Sequence, residues 1–143
     1  MRSWYFWDIA PTEDNTFVLL STAKNQTGFI HSSLTQWRNL FSLEVFGNDG
    51  YIQIEGLGGS YGTERLLLGK RALLEPFKEK IIEYRGGDPS LEEEWKEFVA
   101  ATREGRQPLG DGYDGLEALK IVYAAYESSR EKRIVSITSN SKY

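Results

Sequence analysis

The sequence predicts an α+β fold in which an open, mostly antiparallel β-sheet carries helices packed on one face. Three observations lead there. Through residue 68 the apolar residues come in short runs separated by turn-forming residues, the pattern of strands joined by hairpins. From residue 88 the apolar spacing lengthens to that of helices. Strands gathered first and helices afterwards make a segregated α+β arrangement rather than an alternating parallel one.

The first strand is expected over residues 3–9, by the aromatic run Trp4-Tyr5-Phe6-Trp7, and the second over 16–22, by Phe17-Val18-Leu19-Leu20. Between them Pro11-Thr12-Glu13-Asp14-Asn15 is turn chemistry. A chain that opens inside such a strand is expected to be entered from a preceding portion. Residues 27–35 form a third strand, with Phe29, His31 and Ser33 on one face and Ile30, Ser32 and Leu34 on the other. Neither face is cleanly polar. The sheet is therefore expected to be covered on both sides, by helices on one and by another domain or a partner subunit on the other.

Two further strands, 43–46 and 51–54, flank Gly47-Asn48-Asp49-Gly50, a hairpin signature. Ile52 and Ile54 point one way and Tyr51 and Gln53 the other, which suggests a core side and a working side. A glycine-rich loop at 56–62 leads to a strand at 63–68, whereas 73–84 has apolar residues without a clear period and is left unassigned. Asp88-Pro89-Ser90 before Glu92-Glu93-Glu94 starts a helix, with Ser90 and Glu93 at capping-box spacing. Its stripe is Leu91, Trp95, Phe98, Val99 and Thr102, and Gly105 is the stop. The second helix begins between Asp111 and Asp114 and runs to about Arg130. Leu116, Leu119, Tyr123 and Tyr126 form its stripe, flanked by the small Ala118, Ala125 and Ser129. A closing strand is expected at 134–137 and a frayed tail at 138–143.

A length of 143 residues points to a single domain, 1–143. Seventeen basic against 21 acidic residues leave a net charge of −4, which disfavours nucleic acid and anionic membranes as partners. There is no cysteine, so disulfides, thiolate nucleophiles and thiolate metal sites are excluded, and a cytoplasmic location is the expectation. No window approaches the roughly 18 apolar residues of a membrane span.

Gly58-Gly59-Ser60-Tyr61-Gly62 satisfies G-x-S-x-G, but the nucleophile elbow needs a helix after the serine and a histidine late in the chain. Here a strand follows and the one histidine, His31, comes first. Gly56 and Gly58 begin a dinucleotide fingerprint that Tyr61 breaks, and Gly69-Lys70 lacks the rest of a phosphate loop. Asp111 and Asp114 lack the further ligands of a calcium loop and read as helix capping. No metal site is expected. His31, with Gln36, Trp37, Arg38 and Asn39 close behind it, combines a stacking surface with hydrogen-bonding groups suited to a polyhydroxylated or carboxylated ligand. The competing reading of these residues is an exposed strand end with a packed tryptophan.

The succession HSSLTQWRNLFSLEVFGNDGYIQIEGLGGSYGTERL, then DPSLEEEWKEFVAATREGRQPLGDGYDGLEALKIVYAAYESSREKRIVSI, resembles the C-terminal domain of the glucose-fructose oxidoreductase / inositol dehydrogenase / MocA (Gfo/Idh/MocA) family of NAD(P)-dependent oxidoreductases. The closing part carries the most: a tryptophan-bearing helix, E-G-R-x-P, an acidic glycine loop and an alanine-rich helix ending Tyr126-Glu127-Ser128-Ser129. The resemblance runs from about Trp4 to Ile137. It implies an α/β domain whose open sheet lines a substrate pocket and makes an oligomer interface, beside an N-terminal Rossmann domain. The family's E-K-P lysine, its nucleotide loop and its D-x-x-x-H motif have no counterpart: Glu75-Pro76 lacks the lysine, and Thr27 stands four residues before His31.

The resemblance thus implies the substrate-binding and oligomerisation part of a sugar or cyclitol dehydrogenase, not catalytic on its own, with no cofactor-binding residue here and NAD or NADP implied for the full-length protein. Expected partners are a second copy through the open sheet face, the Rossmann domain in cis or trans, and a sugar-like small molecule. Substrate contacts are expected from His31, Gln36, Trp37, Arg38, Asn39 and Tyr61. The alternative is a stand-alone ligand-binding or dimerisation module that has lost the enzyme.

Overall fold

The computed structural model describes residues 2–4, 6–7, 12–74 and 78–138. Expectations for residues 5, 8, 9 and 11, for the Glu75-Pro76 pair and for the tail from 139 lie outside them. The order is β1 (Arg2–Trp4), β2 (Asn15–Ser21), β3 (Thr27–Ser33), β4 (Ser42–Phe46), β5 (Gly50–Glu55), β6 (Glu64–Lys70), β7 (Lys78–Tyr84), α1 (Ser90–Glu104) and α2 (Gly112–Glu131). This is an α+β chain with every strand pairing antiparallel. The strands divide between two sheets, β1-β2-β3 and β4-β5-β6-β7, with no pairing between β3 and β4. Two compact units result: Met1–Gln36 with Gly105–Tyr143, and Trp37–Glu104.

In the first unit His31 lies opposite Phe17 and Phe29 opposite Leu19, so these four residues share a face. Val18 and Ile30 are paired on the other face, where Val18 is buried. At the end of this ladder Asn15 receives the Ser33 hydroxyl at 2.6 Å and donates to Thr35 at 2.8 Å. The turn before β2 is held by Asp14, whose carboxylate accepts the N–H groups of Phe6 and Trp7 at 2.7 Å each. Partial desolvation pushes the Asp14 pKa up, but hydrogen bonds from the Trp7 backbone, the Asn15 side chain and the Phe6 backbone outweigh it and hold the group below its ordinary value. A depressed carboxylate contributes stability that is present above its unfolded pKa and is lost as pH falls through the folded one. The Phe6 and Trp7 amide resonances are therefore expected to move only as pH falls below the ordinary aspartate value of 3.8. Asp14→Asn should abolish that acid transition; its survival would refute the assignment.

Helix α2 starts on a reciprocal capping box. Asp111 accepts from the N–H groups of Tyr113 at 2.8 Å and Asp114 at 3.1 Å, while Asp114 accepts the Asp111 N–H at 3.0 Å. Both aspartates are thus capping residues, as their spacing suggested. Asp111→Ala is expected to cost about 1 kcal/mol of stability in urea unfolding, and Asp111→Ser much less. The helix is tied to the turn before β2 by the Tyr126 hydroxyl, which donates to Glu13 at 2.7 Å. Residues 134–137 are not the expected closing strand. Lys132 ends the helix in the left-handed region, and the Arg133 carbonyl takes the Ser128 hydroxyl at 2.7 Å while the Arg133 side chain pairs with Glu127 and Glu131. The chain is held against its own helix there, and Ile134 stays exposed.

The register of the second unit places Leu43, Val45, Ile52, Ile54, Leu66, Leu68 and Ile82 on one face. Glu44, Tyr51, Gln53, Glu55, Arg65 and Glu83 share the other face. The split anticipated from β5 extends in the main to its neighbours, but Phe46, Leu67 and Ile81 lie on the second face and Lys80 on the first, opposite Leu68. Strand β7 occupies the end of the stretch that showed no period, since Lys78, Glu79, Lys80 and Glu83 interrupt Ile81 and Ile82. Helix α1 begins at Ser90, but the expected capping box is absent. Asp88 accepts the Ser90 N–H at 2.9 Å, and Glu93 sends its carboxylate to Lys96 at 2.8 Å instead of back to the helix start. Its end at Gly105, φ +65°, is as anticipated. Among the described residues no helix is long and apolar enough to cross a membrane.

Candidate functional site

The glycine-rich loop after β5 folds back on the strand that follows it. Gly56, Gly58, Gly59 and Gly62 all have positive φ, from +57° to +96°, which only glycine adopts without strain. At Gly56 a β-carbon would also come within 2.8 Å of the Thr63 carbonyl oxygen, so the neck of the loop is closed by backbone alone. Glu64, the first residue of β6, accepts the Gly58 N–H at 2.7 Å, and the Tyr61 N–H reaches the Leu57 carbonyl at 3.3 Å. The G-x-S-x-G stretch is thus a glycine turn between two strands, and the helix that a nucleophile elbow needs is not there.

Facing this loop is the connection from β7 to α1. Together they enclose an open cleft of about 860 Å³, with Gly59, Gly62, Thr63 and Glu64 on one wall. Glu83, Tyr84, Arg85, Asp88 and the intervening glycines form the other. Asp88 approaches the loop closely: its Oδ2 lies 3.3 Å from where a β-carbon on Gly58 would sit. A hydrogen bond from the Ser90 backbone, then one from its hydroxyl, hold the Asp88 pKa below its ordinary value against partial desolvation.

Glu83 brings the polar face of the sheet to the cleft, whereas Glu64 and its register partner Tyr84 reach it from the other face. Register aligns Glu55, Arg65 and Glu83 across three strands, and Arg65 reaches Glu83 at 3.3 Å and Glu55 at 4.0 Å. Arg85 binds Glu83 at 2.6 Å, and its hydrogen bond and charge are the main reason the Glu83 pKa is lowered, with Arg65 adding to it against desolvation. Gln53 donates to Glu55 at 2.9 Å. Two arginines are therefore spent on Glu55 and Glu83. Glu64 and Asp88 are engaged by backbone N–H groups and, among the described residues, by no cation. Such a lining offers hydrogen-bond acceptors, a guanidinium and an aromatic ring. Among the described residues no group of three or more His, Cys, Asp or Glu is placed to hold a metal.

The six residues anticipated from sequence fall in both units. His31 and Gln36 belong to the first, and Trp37, Arg38, Asn39 and Tyr61 to the second. His31 is exposed on β3 and stacks on Phe17, ring centroids 4.4 Å apart at 14°. Trp37, Arg38 and Asn39 are consecutive in the exposed segment before β4, with Trp37 94 % exposed. Tyr61 lies in the glycine loop, and none of the six lines the cleft. Sequence reasoning missed Glu64, Arg65, Glu83, Arg85 and Asp88. The available signal was Glu64-Arg65 at the start of β6 and Glu83 and Arg85 around the end of β7, but it becomes a constellation only once β7 is paired with β6.

Over residues 6–137 the chain matches the family model described as "Oxidoreductase family, C-terminal alpha/beta domain". No curated protein and no solved structure matches it. With nearly the whole chain inside that match, and the antiparallel α+β architecture to go with it, the protein belongs to the C-terminal alpha/beta domain family of the Gfo/Idh/MocA oxidoreductases.

Proposed function

We propose that this chain is the substrate-binding and self-associating domain of an NAD(P)-dependent sugar or cyclitol oxidoreductase, and that it does not transfer a hydride by itself. The observation that carries the reading is the two-faced second sheet. One face is mainly aliphatic, with Leu43 and Val45 about half exposed and Lys80 set opposite Leu68, and the other carries the hydrogen-bonding residues Gln53, Glu55, Arg65 and Glu83 beside the apolar Phe46, Leu67 and Ile81. An open aliphatic face of this kind is suited to a second protein surface, and a polar face to a small hydroxylated ligand. His31, Gln36, Trp37, Arg38, Asn39 and Tyr61 are proposed as substrate contacts in the complete enzyme, where a nucleotide-binding half supplies the hydride chemistry through NAD or NADP.

The test is a titration of the chain with NADH and NADPH, following energy transfer from its tryptophans to bound nicotinamide. No binding, together with sugar oxidation when a nucleotide-binding half is joined to it, is the expected result. Saturable binding to the chain alone would overturn the division of labour. Inactivity of the joined protein on every sugar and cyclitol tried would overturn the substrate class.

A further inference from the structure

We infer that the cleft between the glycine-rich loop and the β7–α1 connection is a binding site for a small hydroxylated amine, a molecule of amino-sugar size carrying a protonated amino group. Its volume of about 860 Å³ lies within the roughly 300–1,000 Å³ typical of small-molecule sites. The lining fits a ligand with three different surfaces. Gly59, Gly62, Gly86 and Gly87 leave stretches of both walls without side chains, and a β-carbon at any of them would meet nothing within 4 Å, so a ligand can approach the backbone. Tyr84, 55 % exposed at the end of β7, offers a ring to the C–H face of a saturated ring or to a cation. Thr63 and the Glu83–Arg85 pair supply both donors and acceptors for hydroxyls.

Charge then selects within that class. The lining includes three carboxylates, Glu64, Glu83 and Asp88, and one guanidinium, Arg85, a net of minus two. Counting the neighbouring Arg65 and Glu55 leaves the balance unchanged. The surplus sits on Glu64 and Asp88, which both converge on Gly58, one through the Gly58 N–H and the other 3.3 Å from its β-position. A ligand that is neutral leaves this pair uncompensated. An ammonium group donates to both, whereas a phosphate or carboxylate is repelled. The cleft belongs wholly to the second unit, so binding there does not depend on the nucleotide-binding half proposed above.

The experiment is a titration of the isotope-labelled chain with D-glucosamine and, separately, with D-glucose, at a pH where the amine is protonated, following backbone amide resonances. Glucosamine is expected to give saturable shifts at Gly58, Gly59, Gly62, Tyr84, Gly86 and Gly87, and glucose none. Glu64→Gln and Asp88→Asn keep an acceptor for the Gly58 and Ser90 N–H groups and so keep the loops in place; each is expected to weaken glucosamine binding about tenfold or more. Equal shifts with glucose would assign the site to hydroxyl recognition alone and overturn the amine. So would unchanged affinity in both variants. Shifts spread equally over the exposed Glu92, Glu93 and Glu94 would show general attraction to acidic surface, and an absence of shifts would remove the site.

Discussion

Gly50→Ala is expected to unfold or severely destabilise the four-stranded sheet, at a cost of about 3 kcal/mol, the upper end of the range for overpacking. Gly50 opens β5 opposite Lys70, and a β-carbon there would lie well inside contact distance of the Gly69 carbonyl oxygen and 3.3 Å from the Lys70 Cα. These are backbone atoms of the paired strand. They cannot swing aside, so the sheet has to open at the hairpin, where the Gly47 N–H holds the Gly50 carbonyl and the Arg71 N–H holds that of Asp49, both at 2.8 Å. Gly69→Ala makes an instructive contrast. Its β-carbon would collide with the Tyr51 ring, which lies across Gly69 to place its hydroxyl on Glu79. A side chain can move, so the loss should be smaller, about 1–2 kcal/mol, and should shrink further in a Tyr51→Ala background. Urea unfolding of the four proteins in that cycle, with Gly50→Ala beside them, measures both effects. Equal costs for Gly69→Ala in the two backgrounds would mean that the ring is not what fills the space.

The second large effect concerns association. Ile52→Lys, at the centre of the aliphatic face opposite Val45 and Leu68, is expected to weaken self-association of the chain at least tenfold in sedimentation equilibrium. Burying one isoleucine is worth roughly 1.5–3 kcal/mol, or about 10- to 150-fold in an equilibrium constant, and a lysine adds the cost of desolvating its charge. Gln53→Lys, one residue along and on the polar face, should leave association unchanged. Equal effects from the two substitutions would show that the aliphatic face is not the surface used, and a wild-type chain that stays monomeric at all concentrations would remove the self-association proposal itself.

Much of the fold was legible because its signals are local. The 47–50 hairpin, the positions of β2 and β3, the sidedness of Tyr51 and Ile52, the Asp111–Asp114 cap and the Gly105 stop each follow from a few neighbouring residues. Where the reading departed from the structure, a competing partner won. Glu93 met Lys96 and left the helix cap to Asp88. Arg133 met Glu127 and Glu131, which kept residues 134–137 beside α2 rather than in a sheet. Strand β7 showed no period of its own because Lys78, Glu79 and Lys80 are consecutive and fall on both faces, and only its pairing with β6 defines it as a strand.

By itself, then, the sequence determined the α+β class, the nature of most elements and membership of an oxidoreductase family's C-terminal domain. Propensity, capping and motif order are properties of contiguous residues. Only the tertiary structure decided how the strands divide into two sheets and which charges meet in the cleft. Glu55, Arg65 and Glu83 are 10 and 18 residues apart along the chain and adjacent only through strand register, and Asp88 reaches Gly58 only because two loops face each other. Register is set by pairing, which couples distant residues and leaves no trace in the spacing of either partner alone.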